Sequence, residues 1–208
     1  MRTPLFLIGG CLLNLTASLQ GQEVGPSGFN ISSITVGGSG CRENSFTTNV
    51  AADRMSFALT FYENIVESGP GIDLKNGIKN CQITLNLSIP VGWRFAVAGF
   101  DYRGYIKLDE GIEALHNTKY YIQGAGPGTT VTNTKKGPED NPFFYQQQVK
   151  IDDRVWSPCD KERAMNINMT MRVWNADRES FPNAYGVMGT DSAEGSFQKW
   201  KLSWSRCP

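Results

Sequence analysis

Hydrophobic positions recur at every second residue along much of this chain. Ile83, Leu85, Leu87 and Ile89 alternate with Gln82, Thr84, Asn86 and Ser88, and Pro90 ends the run. Met165, Ile167, Met169, Met171 and Val173 alternate with Asn166, Asn168, Thr170 and Arg172. Near the C-terminus Trp200, Leu202 and Trp204 alternate with Lys199, Lys201 and Ser203. Successive side chains of an extended chain leave opposite faces, so a period of two predicts strands with one face buried. Further strands are expected over residues 55–62, 93–101, 104–108, 119–123 and 143–151, divided by Gly- and Pro-rich turns at 69–71, 90–92, 124–128 and 137–138. Residues 109–116 are expected to form a turn or two of helix, and residues 175–196 a long loop. Closely spaced strands without intervening amphipathic helices predict an all-β fold, either an antiparallel β-sandwich or a jelly-roll-like barrel, with little helix.

The first 19 residues read as a secretory signal peptide: Arg2, then the short apolar run around Leu5, Phe6, Leu7 and Ile8, then small residues that place cleavage between 17 and 21. That run is too short to span a bilayer, and a lipobox at Cys11 would leave it shorter still. Residues 20–40 are expected to be an arm or a lead-in strand, and residues 41–208 a single domain. With Cys11 removed, Cys41, Cys81, Cys159 and Cys207 remain, an even number that predicts two disulfides in an oxidising compartment. Of the three possible pairings we expect Cys41 with Cys81 and Cys159 with Cys207. Asn30, Asn86 and Asn168 each begin an Asn-x-Ser/Thr sequon and are candidate glycan acceptors in a eukaryotic host. The mature chain is expected to be secreted, extracellular and outside any membrane.

Composition then removes several chemistries. The 208 residues carry 20 Lys+Arg against 20 Asp+Glu, a net charge of zero that offers nothing to a polyanionic backbone, so no nucleic-acid partner is expected. The single His, His116, leaves no Ser-His-Asp or Cys-His device with recognisable context and no multi-imidazole metal site; we read it as an exposed or turn histidine. No metal or other cofactor is expected. Acidic turns at Asp152-Asp153 and Glu139-Asp140-Asn141 lack EF-hand spacing. Glycoside hydrolysis needs only two carboxyls, for which Asp101, Asp109 and Glu110 are the candidates, although pairing with Arg103 is the favoured reading of Asp101. The 5 Trp, 7 Tyr and 11 Phe supply flat faces for sugars, and Tyr102, Arg103, Tyr105, Tyr120, Tyr121 and Trp174 are the ligand-binding candidates nearest to turns or on polar strand phases.

The order of short motifs carries more than any one of them: Gly69-Pro70-Gly71-Ile72, Lys79-Asn80-Cys81, Gly92-Trp93-Arg94-Phe95, Asp101-Tyr102-Arg103-Gly104-Tyr105, Trp156-Ser157-Pro158-Cys159 and Trp204-Ser205-Arg206-Cys207. From about Gly40 onward this set resembles the secreted domain of unknown function family 4360. The resemblance implies a small extracellular two-disulfide protein of fungi and bacteria whose activity is not established, and it transfers no catalytic residue. Two functional classes follow from the residues. One is a noncatalytic module that binds carbohydrate, such as cell-wall glycan, or an extracellular host protein; the other is a carboxylate-dependent glycan-active enzyme. They separate on whether two of Asp101, Asp109 and Glu110 face one another in a cleft beside exposed rings.

Overall fold

The computed structural model describes residues 24–159, 162–189 and 196–208, so the expected leader lies outside the described residues. In chain order the strands are β1 (Asn30–Gly37), β2 (Phe46–Val50), β3 (Ser56–Phe61), β4 (Val66–Ser68), β5 (Ile78–Ser88), β6 (Trp93–Leu108), β7 (Ile112–Ile122), β8 (Thr129–Lys136), β9 (Glu139–Gln148), β10 (Arg163–Asn175), β11 (Gly186–Gly189) and β12 (Ser196–Arg206). Among the described residues two short 3-10 turns, Leu74–Gly77 and Ile151–Asp153, interrupt them. One sheet runs β1-β5-β10-β7-β8; the other runs β2-β3-β12-β6-β11-β4, with β9 also on β6. All these pairings are antiparallel, and the two sheets make a sandwich.

The alternation read from the sequence is the one that builds the core. Ile83, Leu85 and Leu87 of β5 and Met165, Ile167 and Met169 of β10 share one buried cluster with Phe57, Leu59 and Phe61 of β3, Phe95 and Phe100 of β6 and Trp200 of β12, while Met171 joins Tyr102, Ile106 and Met188 in a second. Trp200 stacks on Phe100 at 4.7 Å and meets Tyr120 edge-on at 5.3 Å, a geometry that aromatic quadrupoles favour. The disulfides are Cys41–Cys81 and Cys159–Cys207, with sequence separations of 40 and 48. In the chain-entropy account, loops of that length stabilise by about 4 kcal/mol each.

Several local expectations are corrected. Residues 93–101 and 104–108 are one strand, β6, because Gly104 is a close approach and not a turn: a Cβ there would lie 2.5 Å from the Gly189 carbonyl oxygen and 2.7 Å from the Phe143 ring. A bulge opposite Lys201 and Leu202 shifts the register of β6, so Val97 and Phe100 both face inward; Tyr102, Ile106 and Leu108 continue that face. Residues 112–116 belong to a strand, β7, where alternation puts Ile112, Ala114 and His116 into the core; the histidine is 1% exposed, neither exposed nor on a turn. Finally, β11 lies within the stretch expected to be loop, and β8 was not expected at all because its Thr-rich sequence has little apolar alternation. Of the two readings for the segment before Cys41, residues 30–37 form the strand, paired along β5.

Candidate functional site

Outward-facing positions of β10 end in Arg172 and Trp174, one strand repeat apart on the same face. Trp174 lies opposite Glu113 of β7, and the Arg172 guanidinium carbon sits 4.8 Å from the centre of the indole. That separation is within cation–π range, so the stack holds both side chains in place.

Two chain segments rise beside this pair. The first follows β10. Its backbone is tied by Asn175 Oδ1 accepting the Asp177 N–H at 3.0 Å, Asp177 Oδ1 accepting the Ser180 N–H at 3.0 Å, and Asn175 Nδ2 donating to the Phe181 carbonyl at 2.7 Å. The Ser180 backbone N–H holds the Asp177 carboxyl below its ordinary range. The second runs from β4 through the Leu74–Gly77 turn. Asp73 caps that turn by accepting the Lys75 N–H, and Gly77 lets it pack on β10, since a Cβ there would lie 2.9 Å from the Val173 carbonyl oxygen.

Between these walls and β10 lies a cleft of about 760 Å³, of the size that takes small ligands or a few sugar units. Pro70, Leu74, Ile78 and Pro182 line it together with Trp174, and Leu74 is 76% exposed and Ile78 41% exposed. Polar groups come from Glu67, Asp73, Arg172, Asn175 and Arg178. Both carboxylates are engaged: Glu67 accepts the Tyr185 hydroxyl at 3.3 Å, and Asp73 lies 2.9 Å from the Lys75 ammonium, which holds its carboxyl below the usual range. A carboxyl held low is the opposite of what a general acid requires.

The other sequence candidates are dispersed over the molecule. Tyr102 is fully buried and Tyr120 is 6% exposed, so neither is the exposed ring expected; both occupy inward phases of their strands. Tyr102 lies flat on His116 with ring centres 3.9 Å apart, and Tyr120 packs against Phe100 and Trp200. Neither ring nitrogen of His116 has a hydrogen-bond partner among the described residues, and burial drives its pKa down to about 3. Arg103 and Tyr105 face outward from the middle of β6, with the Arg103 guanidinium 6.0 Å from the Phe197 ring and the Tyr105 hydroxyl donating to Asp140. Tyr121 is half-buried on the outer face of β7, across from Asn166.

Asp101 also faces outward but pairs with Lys201 of β12 at 2.8 Å instead of Arg103, and it accepts from Gln146 of β9 at 3.3 Å. Asp109 and Glu110 line a shallow cleft of about 360 Å³ with Glu139 and Asp140, and its lining includes neither Asp101 nor an aromatic ring. Asp109 accepts the Tyr185 N–H, while Glu139 and Asp140 take Lys135 and Lys107. Among the described residues no three His, Cys, Asp or Glu side chains come together as a metal site would require. The sequon residues Asn30, Asn86 and Asn168 lie on strands of the β1-β5-β10-β7-β8 sheet, and Asn86 Nδ2 donates to Ser33 Oγ at 2.7 Å.

Of the residues that build the cleft, sequence reasoning found Trp174 and missed Glu67, Leu74, Arg172 and Arg178. The polar phase of β10 was a signal for Arg172; nothing in the sequence brings residues 67–78 beside residues 172–184.

These features define a class of protein: a two-disulfide antiparallel sandwich with an aromatic, arginine-bearing cleft at the end of one central strand. Residues 27–207 match the family described as "Domain of unknown function (DUF4360)", and the chain belongs to it. A protein of Arthroderma benhamiae described as an uncharacterized secreted protein is 34% identical over 188 residues, which are 90% of this chain and 75% of that one. Among solved structures, the enzymatically active domain of bacteriophage CBA120 tailspike protein 4 is similar at 14% identity and a TM-score of 0.23. That likeness covers 86% of this chain but only 20% of the tailspike chain, and it is too slight to carry an argument. No described helix is long and apolar enough to cross a membrane.

Proposed function

We propose that this protein is an exported, noncatalytic binding module that takes a glycan in the cleft at Trp174. The observation that carries the reading is the half-buried indole held by Arg172 in a cleft of about 760 Å³ whose walls are braced by their own hydrogen bonds. A flat ring with apolar neighbours and polar rim groups suits a sugar, which has apolar faces and hydroxyl edges. Braced walls lose little entropy on binding. The leader read in the first 19 residues and the secreted description of the Arthroderma relative support export, and Asn30, Asn86 and Asn168 are the proposed acceptors of the protein's own glycans.

The partners carried by Glu67, Asp73, Asp101 and Asp109 favour binding over hydrolysis. Retention of the secreted protein on a panel of polysaccharides tests the proposal. Wild type is expected to be retained and Trp174→Ala to be lost from the same matrix while keeping its melting temperature within a few degrees. Equal retention of the two proteins overturns the site, and release of reducing ends from the matrix favours the enzyme alternative.

A further inference from the structure

We infer that the cleft selects a glycan bearing carboxylate groups, that is, a polysaccharide containing uronic acid, an inference that rests on the glycan reading of the same cleft. The cleft's two cations and two anions are not equivalent. Glu67 and Asp73 already have partners in Tyr185 and Lys75, whereas Arg172 and Arg178 make no ion pair among the described residues. The lining therefore presents acidic groups that already have partners and guanidinium groups that are available.

A guanidinium is a planar fork of donors that matches a carboxylate bidentately, and stacking on an indole holds such a fork in place before the ligand arrives. Arg172 is so held, 4.8 Å from the Trp174 ring centre. A ligand lying along this part of the cleft meets the fork of Arg172, the apolar surface of Leu74 and Ile78, and the second guanidinium of Arg178. A hexuronate supplies both kinds of contact, a carboxylate on a ring whose face is apolar. The carboxylates of Glu67 and Asp73 in the same walls repel densely charged ligands, so isolated single charges along a sugar chain fit better than a phosphate or a cluster of sulfates.

Affinity electrophoresis in gels containing polygalacturonate, its fully methyl-esterified form, or a neutral β-glucan tests this. Polygalacturonate is expected to retard the wild-type protein at about one tenth of the polymer concentration needed for the ester or the β-glucan, the scale of one charge-assisted hydrogen-bonded contact. Arg172→Gln and Arg178→Gln are each expected to narrow the gap between polygalacturonate and the two neutral polymers. Trp174→Ala is expected to abolish retardation by all three. Equal retardation by acid and ester, or a preference unchanged in both arginine variants, overturns the acidic selectivity and leaves the glycan cleft standing. No retardation by any polymer overturns the selectivity and the cleft reading together. Thermal melts of each variant confirm that the chain is folded in every lane.

Discussion

Rings occupy both the middle of the sandwich and its end, and what surrounds them differs. In the middle, Tyr102 lies on His116 at an interplanar angle of 8°, with Phe143 5.4 Å away and Tyr145 beside them. This seam belongs to the apolar cluster around Met188, a second cluster being centred on Trp200, and polar groups here turn to sulfur: Tyr102 donates to Met171 at 3.4 Å and Gln198 to Met169 at 3.3 Å. At the end, Trp174 has a guanidinium for a neighbour and an open cleft beside it. Both rings stand on long strands. Tyr102 falls on the inward phase and Trp174 on the outward one, so the same chemistry is structural in one place and available in the other.

The sharpest way to break the comparison is truncation. Trp200→Ala removes a fully buried ring and is expected to cost about 3–5 kcal/mol in urea unfolding. Trp174→Ala is expected to cost about 1 kcal/mol or less, the usual scale away from a core. Comparable losses would mean that the end cleft is part of the core.

Acid sharpens it next. Burial keeps His116 neutral in the folded protein, with its pKa pushed down to about 3 from the ordinary 6.5. Below about pH 6.5 the unfolded chain binds a proton that the folded chain refuses, so stability is full above that pH and falls as pH drops toward 3. The histidine contributes a slope approaching about 1.4 kcal/mol per pH unit. In His116→Leu, urea midpoints measured from pH 7 to 4 are expected to lose that part of the pH dependence. An unchanged profile would remove His116 as the acid-sensitive group of the seam.

The smallest effect belongs to the outer face. Asp101 and Lys201 pair at 2.8 Å with side chains 11% and 32% exposed, so solvent screens them in part. A double-mutant cycle with Asp101→Asn and Lys201→Met is expected to give a coupling of about 1 kcal/mol or less, shrinking in salt. A larger, salt-insensitive coupling would show that this face is shielded like the seam.

The lines of β5, β10 and β12 were legible because a half-buried strand writes its phase into its own residues, as Ile83, Met165 and Trp200 do. Residues 93–101 and 104–108 read as two strands because a glycine such as Gly104 has two causes, turn and close packing, that look alike in sequence. His116 was misread for a related reason. A lone polar residue in a strand carries no mark of its own, and its inward phase shows only once the alternation of Ala114 and Thr118 on either side is known to be buried.

By itself, then, the sequence determined that strands dominate, the phases of β5, β10 and β12, the even set of four cysteines in the chain beyond Cys11, and the absence of an imidazole pair. Those are properties of composition and of residues two apart. Only the tertiary structure decided where the bulge in β6 falls, that His116 is sealed against Tyr102, and that Arg172 and Trp174 share a cleft with Glu67 and Leu74. Each depends on the register in which distant strands pair, β4 with β11 and β5 with β10. Register is set by the summed packing of whole faces, which no short run of residues contains.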